Sequence, residues 1–338
     1  MSRAQLTSTV EQNTGGAVAP IVGGKNFFAN GAMDFWQRGT SFSLTSNTNA
    51  YTADRWSCYS YGATQTFSQS TTVPNTSFPY SLKIAGASGA SASVVRQRIE
   101  AAATLPLANA TSVTLSYWVY LASSSSASVF LNLNTPTSNV NDFTAVTSRV
   151  YQAVSGTAVN NAWTKITYTF NPSTFTNITY GLEVQLDLAA ALNNASYYAL
   201  FTGFQLELGP VATPFARAGG TLQGELALCQ RYYFKANNAA DSGGTVSSFA
   251  VNYSATAGIS IYSLPVTMRV YPTAITYSGL RYVDAVLGIY ANPTFTIGGG
   301  TPNNIRADFT SSGMTSGRSG WITQNSSTSD YIAFSAEL

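Results

Sequence analysis

The stretch Val113-Thr114-Leu115-Ser116-Tyr117-Trp118-Val119-Tyr120-Leu121 places apolar residues at every odd position and a mixture at the even ones. A two-residue period is that of a β-strand with one face buried and the other near solvent. The same period recurs on both sides. Thr164, Ile166, Tyr168 and Phe170 alternate with Trp163, Lys165, Thr167 and Thr169. Leu182, Val184, Leu186 and Leu188 alternate with Gly181, Glu183, Gln185 and Asp187. Leu200, Thr202, Phe204, Leu206 and Leu208 read as one face, and Leu82 with Ile84 as a shorter one. Gly, Asn, Pro and Ser clusters separate these runs, as at Thr135-Pro136 and Asn171-Pro172. No helical spacer of the kind parallel strands need is visible, so residues 26–218 predict an antiparallel β-sandwich.

Residues 219–235 read as a linker holding a short helix within Leu222 to Lys235. Leu222, Leu226 and Cys229 share a helical face there, with Glu225 early and Arg231 late. Residues 236–338 return to a β pattern and predict a smaller distal domain. Phe249, Val251 and Tyr253 alternate, as do Val283, Ala285, Leu287 and Ile289, and then Ile332, Phe334, Ala336 and Leu338. Gly298-Gly299-Gly300-Thr301-Pro302-Asn303-Asn304 reads as a loop. Residues 1–25 show neither period and read as an extended arm, either a disordered terminus or a segment that orders on a partner.

The 338 residues include no histidine, and only 9 % are charged, for a net +2. Catalysis by a Ser-His or Cys-His pair and histidine metal sites are therefore excluded. The Lys and Arg residues are scattered, with no basic stripe for nucleic acid. No apolar run is long enough to span a membrane, and the first residues lack the apolar stretch of a secretory signal. The 14 carboxylates are dispersed, no glycine-rich phosphate loop is present, and no cofactor is expected; a structural calcium ion held by backbone carbonyls stays open. Cys58 and Cys229 are far apart, and spacing does not say whether they pair. Free cysteines are commonly buried, so two separate buried thiols is the ordinary reading.

What remains is a neutral, hydroxyl-rich surface with 13 % aromatics. Aromatic rings cover the apolar C–H faces of sugars, and neighbouring amides and carboxylates meet the hydroxyls. Tyr282, Asp284 and Tyr290, opposite the apolar face of their run, are the glycan-binding candidates, together with Trp321, Gln324 and Asn325. The same aromatics, and Trp118 and Tyr120, would equally serve packing between subunits.

The string Asn26-Phe27-Phe28-Ala29-Asn30-Gly31-Ala32-Met33-Asp34-Phe35-Trp36-Gln37-Arg38-Gly39-Thr40-Ser41-Phe42 resembles the opening of bacteriophage tail-fibre and related virion structural proteins. In that order follow Tyr51-Thr52-Ala53-Asp54-Arg55-Trp56, Arg96-Gln97-Arg98-Ile99-Glu100, Phe204-Gln205-Leu206-Glu207-Leu208-Gly209 and Glu225-Leu226-Ala227-Leu228-Cys229-Gln230-Arg231-Tyr232-Tyr233. Ala32-Met33 departs from the usual pattern. The resemblance covers residues 26–235. It implies a jelly-roll sandwich similar to carbohydrate-binding modules, a distal β-domain and a homotrimeric fibre. It also implies docking to other virion proteins through residues 1–25, with Gln5, Leu6, Val10, Val18, Ile21 and Val22 as the apolar and amide contacts. Trp36, Arg38, Arg55 and Trp56 are expected to hold the sandwich together. No catalytic residue is implied. The expected function is a tail-fibre subunit in the virion that binds a host-surface glycan or receptor through its distal domain. A structural or decoration protein of head, neck or baseplate is the alternative, and a capsule depolymerase the third.

Overall fold

A computed structural model describes residues 25–237, 241 and 243–338. The docking candidates Gln5, Leu6, Val10, Val18, Ile21 and Val22 lie outside them. Among the described residues the strands form four sheets, all with antiparallel pairing between named strands. One six-stranded sheet runs Ser41–Leu44, Gln65–Ser70, Ser81–Ala85, Tyr198–Leu208, Val113–Ala122, Trp163–Phe170. The other runs Thr48–Tyr51, Ser57–Tyr61, Ala92–Glu100, Gly181–Asp187, Ala127–Pro136, Val146–Ala158. The chain crosses repeatedly between them, which is jelly-roll topology.

The alternation of Val113–Leu121 is obeyed: Val113, Leu115, Tyr117, Val119 and Leu121 are all buried between the sheets. Leu182, Val184, Leu186, Leu82, Ile84, Ile166 and Phe170 join them. The centre is aromatic, with the Trp56 and Phe204 rings 4.2 Å apart and Phe28 5.4 Å from Trp56. Leu200 and Thr202 depart from the expected face. The pairing register shifts between Thr202 and Gln205, where Gly203 takes φ +67°. This β-bulge reverses the strand's facing. A Cβ at Gly203 would come within 2.8 Å of the Phe78 ring and 2.9 Å of Trp118, so the turnover requires glycine.

The opening motif is a polar clamp over this core. The Asn26 amide donates to the Phe204 and Ala216 carbonyls and accepts from the Phe28 and Leu206 N–H groups. Asn30 donates to the Phe35 and Asp54 carbonyls, and the Trp56 indole donates to the Asn30 carbonyl. Gly31 lies so close to the strand bulge that a Cβ would stand 2.2 Å from the Phe204 carbonyl oxygen.

The helix spans Leu222–Gln230, capped by the Thr221 hydroxyl, which accepts from Gly224 N–H at 3.0 Å. Its buried face is Glu225 and Cys229 rather than Leu222, which is exposed. Glu225 accepts from the Asn30 and Gly219 N–H groups, so the helix is tied to the opening motif by hydrogen bonds. The remainder of the predicted helix is strand: Tyr233–Ala236 pairs with Tyr331–Ser335, which pairs in turn with Ala274–Ser278. This three-stranded sheet packs on a seven-stranded one, burying Tyr262, Tyr282, Phe295, Phe309, Ile322 and Phe334 in a second core.

Two further expectations are corrected here. Gly298, Gly299 and Gly300 lie in the strand Thr294–Thr301, with a bulge between Ile297 and Gly299, and not in a loop. Phe249 and Tyr253 face outward while Ala250 and Asn252 are buried, because two register shifts interrupt the strand Thr245–Asn252. Cys58 and Cys229 are separate buried thiols. Burial pushes the Cys58 thiol up to about 12.

Candidate functional site

Tyr282 and Asp284 lie on the strand Leu280–Asp284, and the structure places both inside. The expected alternation ran across a hairpin turn. Residues 285–288 leave the sheet, Leu287 takes φ +65°, and Val286, Leu287 and Ile289 are the exposed side chains. Tyr282 packs 5.0 Å from Phe309 and 5.7 Å from Tyr290, and its hydroxyl donates to the Arg318 carbonyl at 2.8 Å. Burial, with the Asp284 charge beside it, pushes its phenol up to about 12.

Asp284 organises the turn. It accepts from Gly288 N–H at 2.7 Å, Val286 N–H at 3.1 Å, the Tyr290 hydroxyl at 3.2 Å and Arg318 Nη1 at 2.8 Å. Burial opposes its charge, but these donors outweigh burial and hold the carboxyl below its ordinary range. Gln324 is also buried, donating to the Ser327 and Asp330 carbonyls. Tyr290, Trp321 and Asn325 are half-buried. The six candidates therefore do not converge on one surface: three of them hold the fold from within.

A second arrangement joins the two halves of the chain. Glu337 pairs with Arg55 and, at 3.1 Å, with Arg38. The Arg55 guanidinium lies 3.4 Å from the Tyr232 ring centroid and that of Arg38 3.6 Å from Tyr233. Tyr51 and Arg98 donate to the Leu338 carbonyl at 2.9 and 2.7 Å. Trp36 and Trp56 pack in the sandwich core, while Arg38 and Arg55 contact the sandwich through Asp54 and the Arg98 carbonyl and also tie it to the distal sheets.

A groove that combines two tyrosine rings with several polar side chains lies on the sandwich. It has a volume of about 380 Å³ and is lined by Tyr59, Tyr61, Ala92, Val94, Arg96, Gln185 and Asp187. The sheet register builds it: Tyr59 stands opposite Val94, Val94 opposite Asp187, and Arg96 opposite Gln185. Tyr59 and Tyr61, two residues apart, share that face with rings stacked 6.3 Å apart at 23°. Tyr61 is 49 % exposed. Arg96 Nη1 lies 3.7 Å from Glu183, while its buried Nε has no hydrogen-bond partner among the described residues. Asp187 accepts from Ser93 and Ala189 N–H groups; burial nevertheless raises its carboxyl above the ordinary range. Stacked rings beside an amide, a guanidinium and a carboxylate of cancelling charge make a seat for an uncharged, hydroxyl-bearing ring. The sequence signal was Tyr59 and Tyr61 at a spacing of two. It was missed because their strand is five residues long and flanked by polar turns.

Among the described residues no group of three or more Cys, Asp or Glu side chains is placed to hold a metal ion. No described helix is long and apolar enough to cross a membrane.

No family model and no curated protein matches the chain. Among solved structures it is similar to the enzymatically active domain of tailspike protein 4 of bacteriophage CBA120, at 12 % identity and TM-score 0.35, over 55 % of this chain and 22 % of that one. It is also similar to a xylan-binding domain from Paenibacillus barcinonensis, at 13 % identity and TM-score 0.31, over 51 % of this chain and 95 % of that one. A tandem of two such domains from the same organism aligns with 88 % of this chain and 95 % of its own length, at 12 % identity and TM-score 0.29.

Proposed function

We propose that this chain is a glycan-binding, non-enzymatic subunit of the phage tail-fibre type, and that the groove lined by Tyr59, Tyr61, Arg96, Gln185 and Asp187 holds an uncharged sugar of the host surface. The groove carries the reading: it combines a stacked tyrosine pair, with Tyr61 exposed, and polar side chains whose formal charges cancel. The motif resemblance supplies the setting. Several of its residues, among them Asn26, Asn30, Gln37, Glu225 and Tyr233, are joined by hydrogen bonds, which gives the string a structural role. In this reading residues 1–25 dock to another virion protein and the subunit acts as a homotrimer. Three weak sites on one fibre raise avidity on the order of 10²-fold or more.

A glycan array and host-envelope pull-down with the full chain test the proposal. Binding to a neutral glycan is expected, with loss in Tyr61→Ala and Gln185→Ala. Deleting residues 1–25 is expected to abolish incorporation into particles and leave glycan binding intact. Undiminished binding in both groove variants would overturn the assigned seat. Release of reducing sugar from host polysaccharide would overturn the non-enzymatic role.

A further inference from the structure

The opposite face of the sandwich carries a second aromatic surface of different charge. Trp163, Tyr120 and Tyr198 lie in a row, with ring centroids 5.7 Å apart for the first pair and 5.9 Å for the second, the tyrosine planes within 20°. Lys83 Nζ continues the row, 4.7 Å from the Tyr198 centroid. These four residues come from four neighbouring strands, so the row crosses the sheet, with Tyr198 set two residues along its strand from Leu200, which stands opposite Tyr120 and Lys83. Beneath it Leu200, which the bulge at Gly203 keeps on this outer side, is only 1 % exposed. One step along the strands, Trp118 stands opposite Lys165 at the rim of a hollow of about 250 Å³ that Asn75 and Ser77 also line.

The charge of this face is one-sided. The six strands of the sheet carry Lys83, Lys165 and a single carboxylate, Glu207. Glu207 is buried and occupied by Thr213, whose N–H and hydroxyl both donate to it. Rings in a row meet successive sugar C–H faces, and two ammonium groups without exposed carboxylates favour an anion. A second copy pairing the same face across a two-fold axis would set lysines against lysines, which opposes that occupant.

We propose that the face formed by Trp163, Tyr120, Tyr198, Lys83 and Lys165 binds an acidic polysaccharide, with the rings under its sugar units and the lysines at its carboxylates. This surface is separate from the tyrosine groove and stands or falls independently of it.

Affinity electrophoresis and calorimetry of the full chain with polygalacturonate, beside uncharged dextran, test it. Polygalacturonate is expected to bind, and to bind less as salt rises. Trp163→Ala with Tyr120→Ala is expected to weaken binding about tenfold or more, the scale of losing two stacked rings. Lys83→Gln with Lys165→Gln, surface changes that leave the core untouched, is expected to weaken it several-fold at low salt and flatten the salt dependence. Tyr61→Ala is expected to leave it unchanged. The proposal is overturned if wild-type protein does not bind polygalacturonate, if the lysine variants bind as wild type does, or if Tyr61→Ala alone removes binding. It is also overturned if sedimentation shows that Trp163→Ala dissolves an oligomer, which would make the face a contact between copies.

Discussion

Asp54 of the sandwich and Asp284 of the distal sheets are both almost wholly buried, and both face an arginine. Their carboxyls move in opposite directions. Burial raises Asp54 from 3.8 to about 6, against the partial opposition of Arg38 and Gln37. Arg38 stands 3.9 Å away, with its charge shared with Glu337. Asp284 has Arg318 at 2.8 Å, two backbone N–H groups and a tyrosine hydroxyl, and it is lowered. Low solvent exposure therefore decides nothing by itself: Asp54 lies deep in the joint, whereas Asp284 lies shallow under a surface turn beside a partly exposed arginine. What differs is that depth, together with the number of donors fixed on the carboxylate. The distal turn is a preorganised anion seat for one of its own side chains. The sandwich joint is a site where acids compete for arginines.

The largest expected effect breaks that competition. Glu337→Ala leaves Arg55 buried without its partner, and a loss of about 3–5 kcal/mol is expected in urea unfolding followed by tryptophan fluorescence. Next is the pH response. A raised carboxyl stabilises the fold fully below its ordinary 3.8, and that contribution is lost as pH rises through about 6. Asp54 is thus expected to make the protein up to about 3 kcal/mol less stable at pH 7 than it would be with the group neutral, and Asp54→Asn to flatten the unfolding midpoint between pH 4 and 7. Asp284 has the opposite sign: its contribution is present above the ordinary range and lost as pH falls through its depressed value. Asp284→Ala is expected to cost about 2 kcal/mol at neutral pH, read in the same assay, by stranding the Val286 and Gly288 donors. Smallest is Tyr282→Phe, about 1 kcal/mol, which removes one hydrogen bond and keeps the ring.

Strands that keep one period from end to end were readable from sequence. Val113–Ala122 buries the odd positions its alternation named, and Gly181–Asp187 does the same with Leu182, Val184 and Leu186. Reading failed where the backbone changes facing without announcing it. Gly203 turns Tyr198–Leu208 over in mid-strand, and Leu287 accepts a left-handed backbone that its side chain disfavours, because Asp284 holds both flanking amides. The candidate site suffered from this second case. Tyr282 and Asp284 were correctly read as unlike their apolar neighbours, but their polar atoms are satisfied from within. The roles of Arg38 and Arg55 were hidden for another reason: their partner is 282 residues beyond Arg55, and no local pattern reports such a distance.

That separation also sets an order in time. Arg55 is 2 % exposed only because Tyr232 and Glu337 cover it, and Glu337 follows it through synthesis only after 282 further residues. At about 5–20 residues per second, Arg55 waits roughly 15–60 s for its counter-charge. Until the distal segment arrives, the guanidinium at the base of the sandwich has only water for its counter-charge. The segment just after the strand Tyr331–Ser335 brings Glu337 to the joint, so the distal sheets supply the charge that neutralises the base of the sandwich.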